Sequence, residues 1–299
     1  MSGAPRIGVS LALEYLAGAR DAPELAWYGP VDVILRNLAE AGATSIELRE
    51  IRPDSEIDAV RGALDRLRDA GMAATIHGVL PPWESGDDWH RCVPALVAAL
   101  EWLRDHEAPP AVVTVHAYAA VNGTPQPLGR RSAARLAQMA RRSELEAMQA
   151  VFAVELNRAK ASVDPCITYD GVLDVLRQAG HPRVGSCFDF GHAWSNVLGG
   201  LLPAAPPVAY LASVMHTHIH DVGPTGRTHW PLTESRLPVQ RFVSLLSGAG
   251  YSGVWNLELS PERFAAEGRP RERTIESVTR LRTTLDAEAA RSTGSVSPR

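Results

Sequence analysis

The sequence VGSCFDFGH at residues 184–192 is a short apolar run that ends in Asp189, followed by a phenylalanine, a glycine and His192. Such a run is typical of a strand that is buried on both faces. A carboxylate in these surroundings is costly unless a partner stabilises its charge. Because aspartate and neutral histidine are ordinary ligands of divalent cations, the stretch predicts one wall of a metal site.

Similar apolar runs recur along the chain and alternate with segments of helical periodicity. The predicted strands are residues 6–11, 44–50, 73–79, 111–117, 151–157, 184–189, 214–220 and 253–259. The predicted helices are residues 30–42, 54–71, about 87–106, 130–150, 169–180, 207–213, 239–250 and about 271–291. This alternation implies parallel strands joined by right-handed crossovers.

For a chain of 299 residues, a closed barrel is the simplest architecture that fits this alternation. A doubly wound open sheet is the rival, but no glycine-rich phosphate loop follows the first strand. We therefore predict an α/β fold with a single (β/α)8 TIM barrel over residues 1–291 and a disordered tail at residues 292–299.

The composition is that of a globular enzyme, with 45% hydrophobic and 21% charged residues. A net charge of -4 gives no electrostatic reason to expect a nucleic-acid partner. The three cysteines lack metal-motif spacing and indicate reduced thiols in a cytoplasmic protein. Residues 190–220 contain no charged side chain apart from histidine, but their prolines and glycines argue against a membrane helix.

Potential metal ligands fall near the C-terminal ends of six consecutive predicted strands. They are His77, His116, Glu155, Asp189, His218 and Glu258. In a barrel these ends share the face on which active sites are built. Each residue alone would more often be a hydrogen-bonded core residue. Burying three carboxylates together without cations is strongly unfavourable, so the set as a whole predicts a metal centre at this mouth.

Other charged or polar residues have a structural interpretation at least as good as a functional one. In the seventh strand His216 shares a face with His218, and we expect His216 to be a structural residue of the barrel interior. Glu47 and Glu50 could form ion pairs with neighbouring arginines or contact a substrate. The arginine-rich segment at residues 130–142 is expected to be a solvated outer surface.

With these motifs the chain resembles the xylose-isomerase-like barrels, which include sugar phosphate isomerases and epimerases and the endonuclease IV superfamily of apurinic endonucleases. The resemblance covers nearly the whole chain. It is most specific in FDFGH (188–192), HIHD (218–221), THWPL (228–232) and LELS (257–260). It implies that Glu155, Asp189, His218 and Glu258 bind the metal shared across the family.

The resemblance also implies roles for further residues at the mouth. His77 and His116 match ligands of a second metal in the endonuclease branch, and here they would bind a second metal or substrate. His192 and His229 match ligands of that branch's third metal, but Arg227 stands where the third ligand is an aspartate, so the third site is not expected. His220 falls where many isomerases have a substrate-facing lysine. We therefore predict four substrate-binding residues, His192, His220, Arg227 and His229.

The expected activity is that of a divalent-metal-dependent isomerase or epimerase acting on a sugar, a sugar phosphate or a related polyhydroxy-ketone. One or two ions of Mn, Zn, Co or Mg would stabilise an enediolate, while Glu155 and Glu258 act as catalytic residues that move the proton. The partner is a carbohydrate-like small molecule, and the chain would act alone or as a homo-oligomer. The alternatives are an apurinic endonuclease-like phosphodiesterase, a related dehydratase and a non-catalytic sugar- or metal-binding barrel subunit.

Overall fold

The computed structural model describes residues 4–106, 110–232 and 236–294, and within them eight parallel strands close into a barrel in chain order. The strands are β1 (Arg6–Ala12), β2 (Ser45–Ile51), β3 (Ala73–Gly78), β4 (Val112–Val115), β5 (Val151–Glu155), β6 (Val184–Asp189), β7 (Val214–Ile219) and β8 (Val254–Leu257). Parallel pairing of β1 with β8 closes the cylinder. The predicted (β/α)8 barrel is confirmed.

Helices follow the strands and surround the barrel. They are α1 (Leu13–Leu16), α2 (Glu24–Tyr28), α3 (Val31–Ala41), α4 (Ile57–Asp69), α5 (Pro94–His106), α6 (Pro125–Ala140), α7 (Ser143–Ala147), α8 (Tyr169–Ala179), α9 (Phe190–Leu198), α10 (Val208–Leu211), α11 (Val239–Gly248), α12 (Pro261–Phe264) and α13 (Pro270–Gly294), with 3-10 helices at Trp83–Cys92 and Ala265–Glu267. Gly42 and Gly180 end α3 and α8 in the left-handed conformation, which glycine adopts without steric cost.

Several boundaries differ from the predicted ones. The helix predicted over residues 130–150 is two helices, α6 and α7, and α9 forms where no helix was predicted. The last helix continues to Gly294, into the segment predicted to be disordered. The rest of that predicted tail, residues 295–299, lies outside the described residues.

The strands direct apolar side chains outward to the helices and polar side chains inward. On β2, Ile46 and Leu48 are fully buried and belong to the hydrophobic core, whereas Glu47 between them contacts polar groups of other strands. The register places Glu47 beside Ser10 of β1 and His218 of β7 beside Asp189 of β6. Polar residues therefore share the barrel interior, and they reach the mouth at the strand ends.

The prediction of a fully solvated arginine surface is wrong for Arg135 on α6, which is 1% exposed. Its guanidinium group donates to Tyr118 Oη at 3.2 Å and to the Pro82 carbonyl at 3.2 Å. The same group lies 5.5 Å from the ring centre of Trp83 and 5.4 Å from that of Trp89. Arg135 therefore ties α6 to the segment that follows β3.

Among the described residues, no helix combines the length and the apolar character that a membrane span requires.

Candidate metal centre

Four carboxylate and imidazole groups meet at the C-terminal mouth of the barrel. Glu155 and Asp189 are the last residues of β5 and β6, His218 lies near the end of β7, and Glu258 directly follows β8. One potential ligand atom from each of the four lies within 4.8 Å of the others. Nδ1 of His218 is 3.2 Å from Glu155 Oε2 and 3.3 Å from Glu258 Oε2. The set of residues predicted to share one cation therefore comes together.

Buried polar atoms at this centre test whether a cation fits. Among the described residues, neither carboxylate oxygen of Glu155 has a hydrogen-bond partner, and the same is true of Nδ1 of His218 and Oε2 of Glu258. Leaving such atoms unsatisfied is costly. Carboxylate oxygen and neutral imidazole nitrogen are ligands of divalent cations, so one ion would satisfy these atoms together. The donor set fits a divalent cation.

The electrostatics of the centre keep its carboxylates ionised. Burial raises the pKa of Glu155, but His116 and His218 outweigh this effect and hold the pKa well below its usual value. Burial likewise opposes ionisation of Glu258, and His218 and His229 again lower its pKa well below the usual value. For Asp189, His192 and the other nearby imidazole groups outweigh burial, so its pKa is also lowered. Three anionic side chains therefore face one another.

His77 and His116 lie against Glu155. Their Nε2 atoms are 3.4 Å and 3.7 Å from Glu155 Oε2, and these three residues form another group that could hold a metal. His116 Nδ1 is 2.7 Å from Asn157 Oδ1, while Asn157 Nδ2 donates to Asp164 at 2.8 Å. Asn157 Oδ1 must then accept a hydrogen bond from the Nδ1–H group of His116. The Nε2 lone pair of His116 is therefore directed at Glu155, which is the orientation of a metal ligand.

His220 is engaged at both ring nitrogens. Its Nδ1 accepts a hydrogen bond from the backbone N–H of His229 at 2.8 Å, so its Nε2 carries the proton. This Nε2 lies 3.1 Å from the carboxylate of Asp189. The backbone of His229 adopts a positive φ of 59°, which a non-glycine residue rarely does. The arrangement orients Asp189 through His220.

His192 and His229 flank the proposed cation ligands. Asp189 caps the N-terminus of α9 by accepting from the backbone N–H of His192 at 2.6 Å. Nδ1 of His192 is also 3.1 Å from Glu155 Oε1. Nδ1 of His229 is 3.4 Å from Glu258 Oε2, and burial together with His220 lowers the pKa of His229 to about 4. His229 is therefore neutral at physiological pH.

Residues 35–284 match the family model described as xylose isomerase-like TIM barrel. The chain belongs to this family. No curated protein matches it significantly.

Solved structures of the same fold cover almost the whole chain. An L-ribulose 3-epimerase is 17% identical, covers 99% of each chain and has a TM-score of 0.67. A D-allulose 3-epimerase from Methylomonas sp. is 13% identical over 96% of this chain and 100% of its own, with a TM-score of 0.62. A xylose isomerase-like TIM barrel protein from Mycobacterium smegmatis was solved in complex with magnesium. It is 15% identical over 95% of this chain and 97% of its own, with a TM-score of 0.63. At these identities the likeness is one of fold.

In this xylose isomerase-like barrel, Arg227 lies on an exposed loop, and two arginines that the sequence analysis missed contact the same loop. Arg158 donates to the carbonyl of Gly226 at 3.2 Å, and Arg263 donates to the carbonyl of Thr228 at 2.9 Å. Arg158 follows β5 and Arg263 lies on α12 after β8, so both come from segments at the mouth. Their guanidinium groups therefore contact the backbone on either side of Arg227.

Glu47 and Glu50 have different surroundings. Glu50 is paired with Arg52, in agreement with the predicted ion pair between this glutamate and a neighbouring arginine. Glu47 contacts no arginine among the described residues; Arg49 instead pairs with Glu24 at 3.3 Å. The carboxylate of Glu47 is fully buried and lies against His218. The alternation of β2 indicates its inward position, whereas the interpretations weighed equally from the sequence were an ion pair with a neighbouring arginine and contact with substrate.

Proposed function

We propose that this protein is a divalent-metal-dependent isomerase or epimerase acting on a sugar, a sugar phosphate or a similar polyhydroxy-ketone. The observation that carries the proposal is the convergence of Glu155, Asp189, His218 and Glu258 around atoms that lack hydrogen-bond partners. Structural relatives named as ketose 3-epimerases support the same reaction class. A cytoplasmic location and self-association remain predictions from the sequence.

Glu155 and Glu258 are suited to move a proton. A divalent cation bound at the centre would bind adjacent substrate oxygens and polarise the carbonyl. Both glutamates approach Nδ1 of His218, at 3.2 Å and 3.3 Å, so their carboxylates lie close to one another. Both side chains are ionised carboxylates and can therefore accept a proton from the carbon beside the carbonyl. A proton removed by one glutamate and returned by the other inverts that carbon.

The histidines around the centre would hold the substrate hydroxyl groups. His192 lies against Glu155 and Asp189 and would donate to a hydroxyl group beside the reacting carbon. The side chain of His116 is 49% exposed, so a substrate can reach it, whereas His77 is buried behind it. With Glu155, His77 and His116 offer one imidazole-rich site for a second cation or for substrate oxygens.

The arginines of the mouth favour a substrate that carries an anionic group. Among the described residues, neither Arg158 nor Arg227 forms an ion pair with a carboxylate, and the nearest acidic contact of Arg263 is Glu262 at 4.0 Å. Guanidinium groups bind phosphate and carboxylate with paired donors. We infer that the preferred substrate is a phosphorylated or acidic sugar whose charged end lies over residues 226–228.

A phosphodiesterase of the apurinic endonuclease type is the second candidate, and the group formed by His77, His116 and Glu155 favours it. That group would add a second cation to the first. The net charge of -4 opposes the binding of DNA, because affinity for DNA depends largely on neutralising its phosphates. Cleavage of a duplex containing one abasic site, measured with added Mn²⁺ or Zn²⁺, distinguishes the two candidates.

Exchange of solvent deuterium into substrate tests the isomerase proposal. The Mn²⁺-loaded protein should incorporate deuterium at the carbon beside the carbonyl of at least one ketose or ketose phosphate in a panel. Glu155→Gln and Glu258→Gln should each reduce the rate by at least about 100-fold, because a general base typically contributes this much. Glu50→Gln is the matched control, since Glu50 lies near the C-terminal end of another barrel strand, β2, and is paired with Arg52. Absence of exchange with every sugar, together with abasic cleavage, would overturn the proposal.

A further inference from the structure

Glu47 lies inside the barrel next to His218 and accepts hydrogen bonds from four side chains. Its Oε1 accepts from Ser10 Oγ at 2.7 Å and from Asn256 Nδ2 at 3.0 Å. Its Oε2 accepts from Nε2 of His216 at 2.9 Å and from Nε2 of His218 at 3.3 Å. Because a carboxylate can only accept, each of these four groups must direct a proton at Glu47.

This contact determines which nitrogen of His218 can bind a metal. A neutral imidazole with its proton on Nε2 has its lone pair on Nδ1. Nδ1 is the atom of His218 that faces Glu155 and Glu258. The opposite tautomer would direct an N–H group into the cation site and could not bind the ion. The hydrogen bond to Glu47 therefore selects the tautomer that can act as a ligand.

We propose that Glu47 is a positioning residue of the metal centre, which fixes the tautomer and ring orientation of His218. Its negative charge also makes the Nδ1 lone pair a stronger ligand, as carboxylates bonded to metal-bound histidines do. The effect on metal affinity rests on the proposed metal-dependent function. The tautomer of His218, however, is a property of the chain itself and can be measured without metal.

The variant Glu47→Gln replaces one of the two acceptor oxygens with a donor NH₂ group and hardly changes the shape of the side chain. Its amide keeps one acceptor oxygen but presents an NH₂ group to partners that all donate to the native carboxylate. Because both imidazoles contact Oε2, His216 and His218 keep their Nε2 protons only in the orientation that places the amide oxygen there and turns the NH₂ group toward Ser10 Oγ. Glu47→Asp keeps a charged acceptor, one methylene shorter, and Ser10→Ala removes one donor while leaving both imidazole contacts. These two variants separate the role of the charge from a loss of packing.

Nitrogen-15 NMR of histidine-labelled, chelator-treated protein gives the direct test, at an alkaline pH where the rings are neutral. We expect His218 of the wild type, Glu47→Asp and Ser10→Ala to carry its proton on Nε2. In Glu47→Gln, part or all of the signal should change to the Nδ1–H tautomer. A wild-type His218 with its proton on Nδ1 would overturn the proposal, and so would an unchanged tautomer in a folded Glu47→Leu variant, which offers the imidazoles no acceptor.

Titration with Mn²⁺ alone, followed by calorimetry and electron paramagnetic resonance, measures the consequence for the metal. Glu47→Gln should weaken binding by roughly 10- to 100-fold, the usual effect of removing such a partner. Glu47→Asp should recover part of this loss, and Ser10→Ala should change affinity by less than about threefold. Equal weakening in Gln and Asp variants would assign the effect to packing and refute the proposal. A wild type that binds no Mn²⁺ refutes the proposed function, while the NMR result still decides the role of Glu47 in fixing His218.

Discussion

Replacing Gly191 with alanine tests whether the histidines beside Asp189 are as tightly packed as the structure indicates. Gly191 lies within α9 and has no positive φ, so the backbone imposes no strain on alanine. An added Cβ would lie 2.0 Å from Nδ1 and Cε1 of the His220 ring and 2.6 Å from the His220 carbonyl oxygen. These separations are far below any van der Waals contact. The ring of His220 must therefore move away from Gly191, which disturbs its contact with Asp189.

The magnitude follows from what His220 would lose. Alanine in place of a helical glycine normally stabilises a protein by about 0.5–1 kcal/mol. Here overpacking costs about 1–3 kcal/mol. Moving His220 also breaks a neutral hydrogen bond from the His229 N–H and a charge-assisted one to Asp189, worth about 1 and about 1.5–3 kcal/mol. We expect the free energy of unfolding of Gly191→Ala to fall by about 3–6 kcal/mol.

Urea unfolding of the chelator-treated protein, monitored by circular dichroism, measures this loss. The matched control is Gly199→Ala at the end of the same helix, where the nearest atom to an added Cβ is the Ser195 carbonyl oxygen at 3.5 Å. The control should stay within about 0.5 kcal/mol of the wild type, as surface substitutions usually do. If Gly191→Ala proves as stable as the wild type, His220 is not held between α9 and Asp189, and its assigned role is wrong.

Four further outcomes are expected from the same geometry. Arg135→Met should lower the free energy of unfolding by about 2–4 kcal/mol, because buried acceptors lose their donor. Arg130 is exposed, so Arg130→Met should change this free energy by less than about 0.5 kcal/mol; urea unfolding measures both. Metal analysis of purified Glu155→Gln should find at least one ion per chain fewer than in the wild type, and an unchanged metal content would contradict the proposed centre. The pKa of His218 is well above 6.5 in the metal-free protein, since Cys187 and the surrounding carboxylates outweigh burial. The stability that protonated His218 contributes is therefore complete below pH 6.5 and is lost as the pH rises. Urea unfolding midpoints at several pH values would reveal this loss, and saturating Mn²⁺ should suppress it. Arg227→Gln should raise the KM for a sugar phosphate by about tenfold with little change in kcat, and an equal effect on an uncharged ketose would argue against an anion-binding rim.

The fold and the proposed cation ligands could be predicted because one sequence pattern determines both. Parallel strands in a barrel end on a common face, so a polar residue at each apolar strand end indicates convergence without any knowledge of distances. Glu155, Asp189, His218 and Glu258 follow this rule and lie together. The order of the strands in the sheet follows from the regular alternation of strands and helices.

The residues that the sequence did not reveal depend on contacts between distant parts of the chain. The helix α9 begins directly after β6 because Asp189 caps it, and its lack of charged side chains concealed its amphipathic character. Arg135 resembles its exposed neighbours in sequence, and its burial depends on partners that are distant in the chain, among them Trp83, Trp89 and the Pro82 carbonyl. Glu47 is separated from His218 by 171 residues, so no local pattern could connect them.

The hydrogen-bonded group around Glu47 also spans the seam where the first and last strands meet. Asn256 of β8 donates both to Ser10 of β1 at 2.8 Å and to Glu47 of β2 at 3.0 Å. A fragment that begins after β2 would keep every proposed cation ligand yet lack the carboxylate that orients one of them. A nascent chain that ends before β8 would lack both Asn256 and Glu258. The proposed cation site should therefore reach its full affinity only late in biosynthesis, after β1 and β8 have paired.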